Sequence, residues 1–388
     1  MPANLPREAK AKWAKVLEAR RPEEKLKALE EFYSAIPKHK GTENLRRQIT
    51  RKIAKLREEI ELRRRKAAGK PVGPRFFVEK EDHPQIVLLG LPKSGKSSVV
   101  KVLTNAKTEV SDAPFTTKIP IPGTFKYQDV FFQLVDTPSL TGPWDSRVLA
   151  LARNADGLLL VLDGTRPLLE QYETLARLLE DAGIRLEKPR ARVEIQRRAL
   201  GGRLQIVLLG RLVDCTLKDV EDLLRSYSLH SALVRIAGEA TLDDIEDAIF
   251  ENVVYKPAVL LVNKVDVKGV LEKAVELKKA LGDKHPVVPF SAKKLVPKAV
   301  ELLGRSLLEK LEVIRVYTKE PNKDQPSPKP MVVPRNTTVI EIARRIHSSL
   351  YKNFKYAKIW GPSAKYPGER VGGDHVLKDG DIVEIHSR

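Results

Sequence analysis

The rhythm of apolar and polar positions changes three times along the chain. Over residues 1–72 it is helical. Leu45, Ile49, Ile53, Leu56 and Ile60 fall three or four apart and share one helix face. Arg46, Arg47, Arg51, Lys52, Lys55 and Arg57 cover much of the remainder. Upstream, Trp13, Val16, Leu17, Leu26, Leu29, Phe32 and Tyr33 predict one or two further helices, broken from the next by Ile36-Pro37 and Gly41. A basic helical hairpin is expected, ended by Arg63-Arg64-Arg65-Lys66 and a linker holding Gly69, Pro71, Gly73 and Pro74.

From Gln85 onward, short Val, Ile and Leu runs at 85–89, 130–135, 157–162, 258–262 and 287–290 alternate with helical stretches. Continuous apolar runs suit strands buried on both faces, so an α/β, doubly wound, mainly parallel sheet is expected over 80–167 and 253–312. The gap between its halves exceeds what one crossover needs. It predicts an inserted α+β subdomain over 168–252, with a strand near 204–209 and a helix near 217–224. Near Ile314 the rhythm changes again. Strands at 314–318, 331–333, 357–360 and 381–385 surround a helix at 339–351, with Thr337 or Thr338 as its N-cap. They predict a small α+β module over 313–388 that folds alone.

Composition adds a charge argument. The chain has 388 residues and a net charge of +19, which favours polyanionic partners, nucleic acid before an anionic membrane. No apolar stretch approaches the ~20 residues that span a bilayer, and the charged N-terminus lacks a signal-peptide core. A cytoplasmic monomer, not associated with membranes, is expected. Cys215 is the single cysteine, so no intrachain disulfide forms, and it is read as a small packed residue. Abundant Lys, Arg and Glu beside 1 Cys and 2 Met fit a thermophile.

The candidate chemistry lies at the ends of the apolar runs. Gly90-Leu91-Pro92-Lys93-Ser94-Gly95-Lys96-Ser97 follows the first run and precedes a helical stretch that begins at Ser98. That context fits a phosphate loop: glycines for turns that a Cβ blocks, and backbone N–H groups converging on phosphate oxygens. Lys96 adds charge at the outer phosphates, and Ser97 offers Mg²⁺ a hydroxyl. Asn263-Lys264-Val265-Asp266 ends a later run; the Asp266 carboxylate can accept two N–H bonds from guanine, which adenine cannot offer. Ser291-Ala292-Lys293 can close over the base with a backbone N–H toward the guanine oxygen. Asp136 ends the run 130–135 and can support Mg²⁺. Thr116-Thr117 lies in the loop before the second strand, and either hydroxyl can complete the metal site. Gln205-Ile206-Val207-Leu208-Leu209-Gly210 repeats residues 85–90 but continues with Arg211, without Gly-Lys-Ser, and is read as a strand only. None of the seven histidines has metal-ligand spacing; His347 and His375 are expected to bond locally.

These motifs, with Phe115-Thr116-Thr117, Ile121-Pro122-Gly123, Tyr255-Lys256-Pro257, the span from Gly183 to Gly202, Asn353-Phe354-Lys355-Tyr356-Ala357, Trp360-Gly361 and Val371-Gly372-Gly373-Asp374-His375-Val376-Leu377, resemble the developmentally regulated GTP-binding proteins. These are Obg-related GTPases of the translation-factor class. The resemblance runs from about Lys38 to the end. It implies a P-loop G domain with a basic helical N-terminal region, an inserted subdomain and a C-terminal TGS module of β-grasp fold. It further implies GTP and GDP as ligands, Mg²⁺ at Ser97, Thr117 and Asp136, ribosome or RNA association through the basic helices and the TGS module, and a regulatory protein partner. Lys96, Thr117, Asp136 and Ser139 are its expected catalytic residues.

Two departures qualify those expectations. The usual Asp-x-x-Gly reads Asp136-Thr137-Pro138-Ser139, and the loop from Leu140 to Asp145 is shorter than the family's. Ser139 has less backbone freedom than glycine. Lys93 replaces a small polar residue that some relatives use to hold K⁺. Its ammonium can supply that charge itself, or face solvent. Leu140 stands where some GTPases place a water-orienting Gln, so hydrolysis is expected to be slow unaided. The competing readings are a module that holds GTP without useful hydrolysis, and a membrane-surface anchor formed by the basic helices.

Overall fold

A computed structural model describes residues 6–19, 21–38, 42–67, 76, 78–81, 83–104, 119–142, 145–197, 203–250, 253–321, 323 and 325–387, with the side chains at 55, 58 and 61–67 excepted. The linker glycines and prolines, Thr116, Thr117 and the side chains of the charge run 63–66 lie outside what is described, while the backbone of that run continues the third helix. Two compact units result: described residues within Met1–Arg75 and Ala176–Tyr255 form one, and those within Phe76–Leu175 and Lys256–Arg388 form the other.

The chain opens with three helices rather than a hairpin: α1 (Arg7–Glu18), α2 (Pro22–Ala35) and α3 (Glu43–Ala67). Pro22 at the first helical position, with Glu23 and Glu24 beside the positive helix end, starts α2 and thereby splits the upstream segment. These helices do not build a core alone. Trp13, Val16, Leu29, Phe32, Leu45 and Ile49 pack with Val220, Leu224, Tyr227, Val234, Ile236 and Phe250 of the inserted segment in one cluster. The Trp13 ring lies 5.1 Å from Phe32, 5.7 Å from Tyr227 and 5.6 Å from Phe250, and its Nε1 donates to the Tyr227 carbonyl at 3.2 Å. Residues 9–49 and 191–250, from two segments expected as separate bodies, thus contribute to one interior.

The second unit begins with β1 (Gln85–Leu89), α4 (Lys96–Leu103), β2 (Ile121–Tyr127), β3 (Val130–Asp136), α5 (Ser146–Asn154), β4 (Gly157–Asp163) and α6 (Leu168–Asp181), whose last turns pass into the first unit. The inserted segment follows: β5 (Ile184–Arg185), β6 (Ala191–Arg197), β7 (Gln205–Leu212), α7 (Leu217–Ser226), β8 (Ala232–Ala240), α8 (Leu242–Phe250) and β9 (Val254–Tyr255). Thr216 caps α7, accepting from Asp219 N at 3.3 Å while Asp219 accepts from Thr216 N at 2.8 Å. Cys215 is half-buried, its thiol pushed up to about 11 by burial and by Asp214, which suits packing rather than reactivity. The chain then returns through β10 (Ala258–Asn263), α9 (Val270–Leu281), β11 (Val287–Pro289) and α10 (Pro297–Leu311).

The main sheet has the order β11-β10-β4-β1-β3-β2. Its pairs are parallel except the β2–β3 hairpin at one edge. β1 and β4 are buried along their whole length, as uninterrupted apolar runs require. β2 escapes the apolar-run criterion because its faces alternate and it contains Pro122 and Gly123. The remaining module is β12 (Val313–Lys319), β13 (Met331–Pro334), α11 (Val339–Ile346), α12 (Ser348–Lys352), β14 (Phe354–Trp360), β15 (Glu369–Val371) and β16 (Asp381–Ser387), with sheet order β13-β12-β16-β14-β15. Thr338 caps α11. The expected single helix at 339–351 is broken at His347, whose backbone is extended and whose Nδ1 accepts from Ser349 N at 3.2 Å. Among the described residues, no helix is long and apolar enough to cross a membrane.

Candidate nucleotide site

Parallel strands β1, β3, β4 and β10 end on one edge of the main sheet, and the segments that leave those ends carry the candidate residues. In open α/β sheets, ligands bind in the crevice beyond these carboxyl ends. Residues 90–95 link β1 to α4. A Cβ on Gly90 would meet the Val161 carbonyl oxygen at 2.6 Å and Ser94 Oγ at 2.7 Å. Gly95 has φ +86, and a Cβ there would run into the Asn263 amide. Both glycines are therefore required by the local geometry. Lys93 also adopts a left-handed conformation, with φ 67, which puts a tight turn in the loop. Its side chain is exposed.

Lys96 opens α4 and is 5% exposed. Burial pushes its ammonium down to about 8, and the nearby Asp136 carboxylate opposes that shift. Its Nζ donates to the Gly90 carbonyl at 3.2 Å and to Ser139 Oγ at 2.8 Å. The segment after β3 is pinned at two further points, once to the loop and once to β1. Leu140 N donates to the Gly90 carbonyl at 3.1 Å, and Thr137 Oγ1 donates to the Leu88 carbonyl at 2.5 Å. Leu140 itself is fully buried. Among the described residues Ser94 Oγ, which is buried, has no partner, a donor placed in the curl of the loop.

Asn263, at the end of β10, ties three motifs together. Its Nδ2 donates to the Ser94 carbonyl at 3.1 Å; its Oδ1 accepts from Lys264 N at 2.9 Å and Ala292 N at 3.1 Å. The Ala292 amide, one of those the tripeptide offers to a base, is thus turned to Asn263 instead. Lys264 Nζ reaches the Lys93 carbonyl at 3.3 Å and Asp163 Oδ2 at 2.7 Å. Asp266 Oδ1 accepts from Ser291 Oγ at 2.6 Å, a bond that chiefly holds its carboxyl below the usual range. Ser291 Oγ in turn accepts from Lys294 N at 3.0 Å, fixing the 291–293 turn beside Asp266. Asp266 is accordingly ionised at neutral pH and set to accept hydrogen bonds.

Asp163 and Gln171 belong to this site and were not singled out from the sequence. Burial raises the Asp163 carboxyl, but the bonds from Lys264 and Thr165 outweigh it and hold the group below the usual range. Gln171 clamps the Asp163 backbone, accepting from its N–H at 2.9 Å and donating to its carbonyl at 2.9 Å. The available signal was positional: Asp163 ends a buried parallel strand, as Asp136 does.

Ser97 in the first turn of α4 and the fully buried Asp136 supply hard oxygen donors of the kind Mg²⁺ takes. Among the described residues no cluster of three or more His, Cys, Asp or Glu forms a cage. The donor set therefore fits an ion shared with phosphate oxygens rather than one held by protein alone.

Comparison with known proteins agrees with this geometry. A family model described as 50S ribosome-binding GTPase matches residues 85–193, one described as "C-terminal region of MMR_HSR1 domain" matches 203–312, and one for the TGS domain matches 314–387. The chain is 32% identical to an uncharacterized GTP-binding protein of Methanocaldococcus jannaschii, over 94% of this chain and 92% of that one. It is 30% identical to developmentally-regulated G-protein 3 of Arabidopsis thaliana, over 93% and 98%. Developmentally-regulated GTP-binding protein 2 of Homo sapiens is likewise 30% identical, over 93% and 98%.

Proposed function

Because this chain belongs to the developmentally regulated GTP-binding protein family, we propose that it is a Mg²⁺-dependent GTPase, slow when unaided, that works on ribosomes or RNA in translation. The observation that carries the slow turnover is Leu140, buried and bonded through its backbone to Gly90, where an attacking water needs an orienting side chain. Asp266 reads guanine. Backbone N–H groups within residues 90–98, Pro92 having none, and the Lys96 ammonium hold the phosphates, and Ser139 yields Lys96 to them. Ser97, Asp136 and a switch threonine, Thr116 or Thr117, hold the metal. Mg²⁺ supplies charge neutralisation at the outer phosphates. In-line attack of water on the γ-phosphate yields GDP and phosphate.

Because the apolar Leu140 side chain cannot orient that water, a ribosome or a regulatory protein is expected to stimulate turnover. The test is single-turnover GTP cleavage with and without ribosomes. We expect a rate on the order of 10⁻³ s⁻¹ alone and at least about tenfold faster with ribosomes. Fast cleavage by purified protein, or none of the stimulation, overturns the reading. The Lys96–Ser139 bond and the buried Leu140 also favour a second reading, in which the chain holds GTP without useful hydrolysis. Absence of GDP under both conditions decides for it.

Lys93 leads to a further expectation, that turnover is the same in K⁺ and Na⁺ buffers because its ammonium supplies the charge of a bound cation. Strong stimulation by K⁺ would discard that role and leave Lys93 a solvent-facing residue.

A further inference from the structure

In the three-stranded sheet β6-β8-β7, β6 is an edge strand that pairs, among the described residues, with β8 alone. Glu239 N donates to the Arg190 carbonyl at 3.1 Å, which sets the phase of the antiparallel ladder. Every second residue of β6 then bonds to β8, and the N–H and C=O groups of Ala191, Val193 and Ile195 point to the free side. Such a row of unpaired groups is a template for another strand.

Beside this edge lies a slot. A cavity of about 550 Å³ is lined by Ala191 and residues 193–196 of β6 together with Ala248 of α8 and Val253, a volume in the range of ligand sites. Val193 and Ile195 pack toward the unit's interior, whereas strand alternation turns Glu194 and Gln196 outward. The charged lining is unbalanced. Glu194, Asp244 and Asp247 bring three carboxylates against one guanidinium, Arg185. Arg185 donates to Asp244 at 3.1 Å and to Asp247 as well, and Arg192 meets Glu194 at 2.7 Å from outside the lining. An acidic balance here stands out on a chain of net charge +19.

We propose that this slot binds an extended peptide of a partner protein, which adds a strand to the free edge of β6, sets apolar side chains at alternate positions toward Val193, Ile195 and Ala248, and brings a lysine or arginine to Asp244 and Glu194. Main-chain bonds to a strand edge supply affinity in this mode, and alternate side chains supply selectivity. A small apolar molecule would leave the three donors and three acceptors of Ala191, Val193 and Ile195 unbonded. The carboxylates disfavour a nucleic acid. A second copy of this chain would bring a whole sheet to the edge, and α8 already walls the space that sheet would need.

Peptide binding here does not rest on the GTPase reading. None of the residues at the nucleotide site lines the slot, so it is a site apart from the expected regulator of turnover, and an occupant should leave GTP cleavage unchanged.

The experiment presents a displayed library of random octapeptides to the immobilised full chain, with Ala248→Leu, which fills part of the slot, as the counter-selection. Selected peptides should alternate apolar with polar residues and carry a Lys or Arg. The strongest is then synthesised with a fluorescent label and titrated by anisotropy. N-methylation of one alternate set of its residues should weaken binding at least about tenfold while the other set is tolerated, because only every second N–H of an added strand faces its neighbour. Val193→Pro, which removes a donor on the free side and none from the ladder with β8, should weaken binding about tenfold. Glu194→Lys should weaken it about 3- to 10-fold. The Glu194 side chain is 39% exposed, so that result does not depend on a disturbed fold. No enrichment over Ala248→Leu, equal tolerance of N-methylation at both sets, selection of acidic sequences, or wild-type binding by both variants overturns the proposal. A selected peptide that alters single-turnover GTP cleavage overturns the separation from the regulator. Failure of the selection leaves the GTPase reading standing, since cleavage is measured without any peptide.

Discussion

Residues 85–90 and 205–210 are the same six letters, Gln-Ile-Val-Leu-Leu-Gly, in two different roles. The first copy is β1, an interior strand flanked by β3 and β4 and buried throughout. The second opens β7, an edge strand of the three-stranded sheet β6-β8-β7, where Leu209 is 67% exposed while its counterpart Leu89 is 0% exposed. Gly90 turns the chain into the phosphate loop; Gly210 instead lies in register with Gly238, so close that a Cβ would meet the Gly238 backbone. A strand's intrinsic preference does not choose its depth. The residues that follow do: Lys96 and Ser97 begin a helix over the sheet end, whereas Arg211 and Leu212 extend the strand.

The sharpest contrast is predicted at the fifth position. Leu89→Asp should cost more than about 4 kcal/mol by burying an unpaired charge, and leave little soluble protein. Leu209→Asp should stay within about 0.5 kcal/mol in urea unfolding. Similar costs at the two sites would erase the distinction in depth. The sixth position separates role from stability. Gly90→Ala should weaken GTP binding by about 100-fold in calorimetry because the loop must shift away from Val161 and Ser94. Gly210→Ala should lower the melting temperature by a few degrees and keep GTP affinity within about twofold. A nucleotide-binding defect in the second variant would show that the repeat has more than a structural role.

The smallest effect is a pH dependence confined to the unit that contains the second copy. Glu246 is raised to about 7, chiefly by burial, though Tyr227 Oη donates to it at 2.5 Å. Asp247 is raised to about 6 by burial, against the pull of Arg185 and Arg51. A carboxyl whose folded value lies above its unfolded one binds its proton more tightly when folded. Its contribution is complete below the ordinary range near pH 4 and declines as pH rises through 6 to 7. The wild-type unit should therefore lose on the order of 1–3 kcal/mol between pH 5 and pH 8 from these groups. Glu246→Gln should flatten part of that slope. A slope of opposite sign in pH-dependent unfolding would refute the assignment.

What the sequence disclosed follows from this contrast. The interior strands were legible because burial on both faces leaves no polar position, and the phosphate loop because glycine and lysine have few substitutes there. β2 was not, since an edge strand alternates and tolerates Pro122. The three-helix arrangement depended on Pro22 acting as a helix start, and its shared core with the insertion depended on pairings over 200 residues apart, such as Trp13 with Tyr227, that no local pattern encodes. Asp163 offered only its place at the end of a buried strand, and Gln171 looks ordinary until the fold sets it against the Asp163 backbone and Lys264 against the Asp163 carboxylate.

The Asn263 side chain carries a consequence for ligands smaller than a whole nucleotide. One planar amide braces the phosphate curl through Ser94 and the base-side turn through Ala292. Recognition at the two ends is therefore mechanically shared. A bare triphosphate or a nucleoside alone would engage only half of a paired scaffold, and the affinities of such fragments should add up to less than that of the intact molecule.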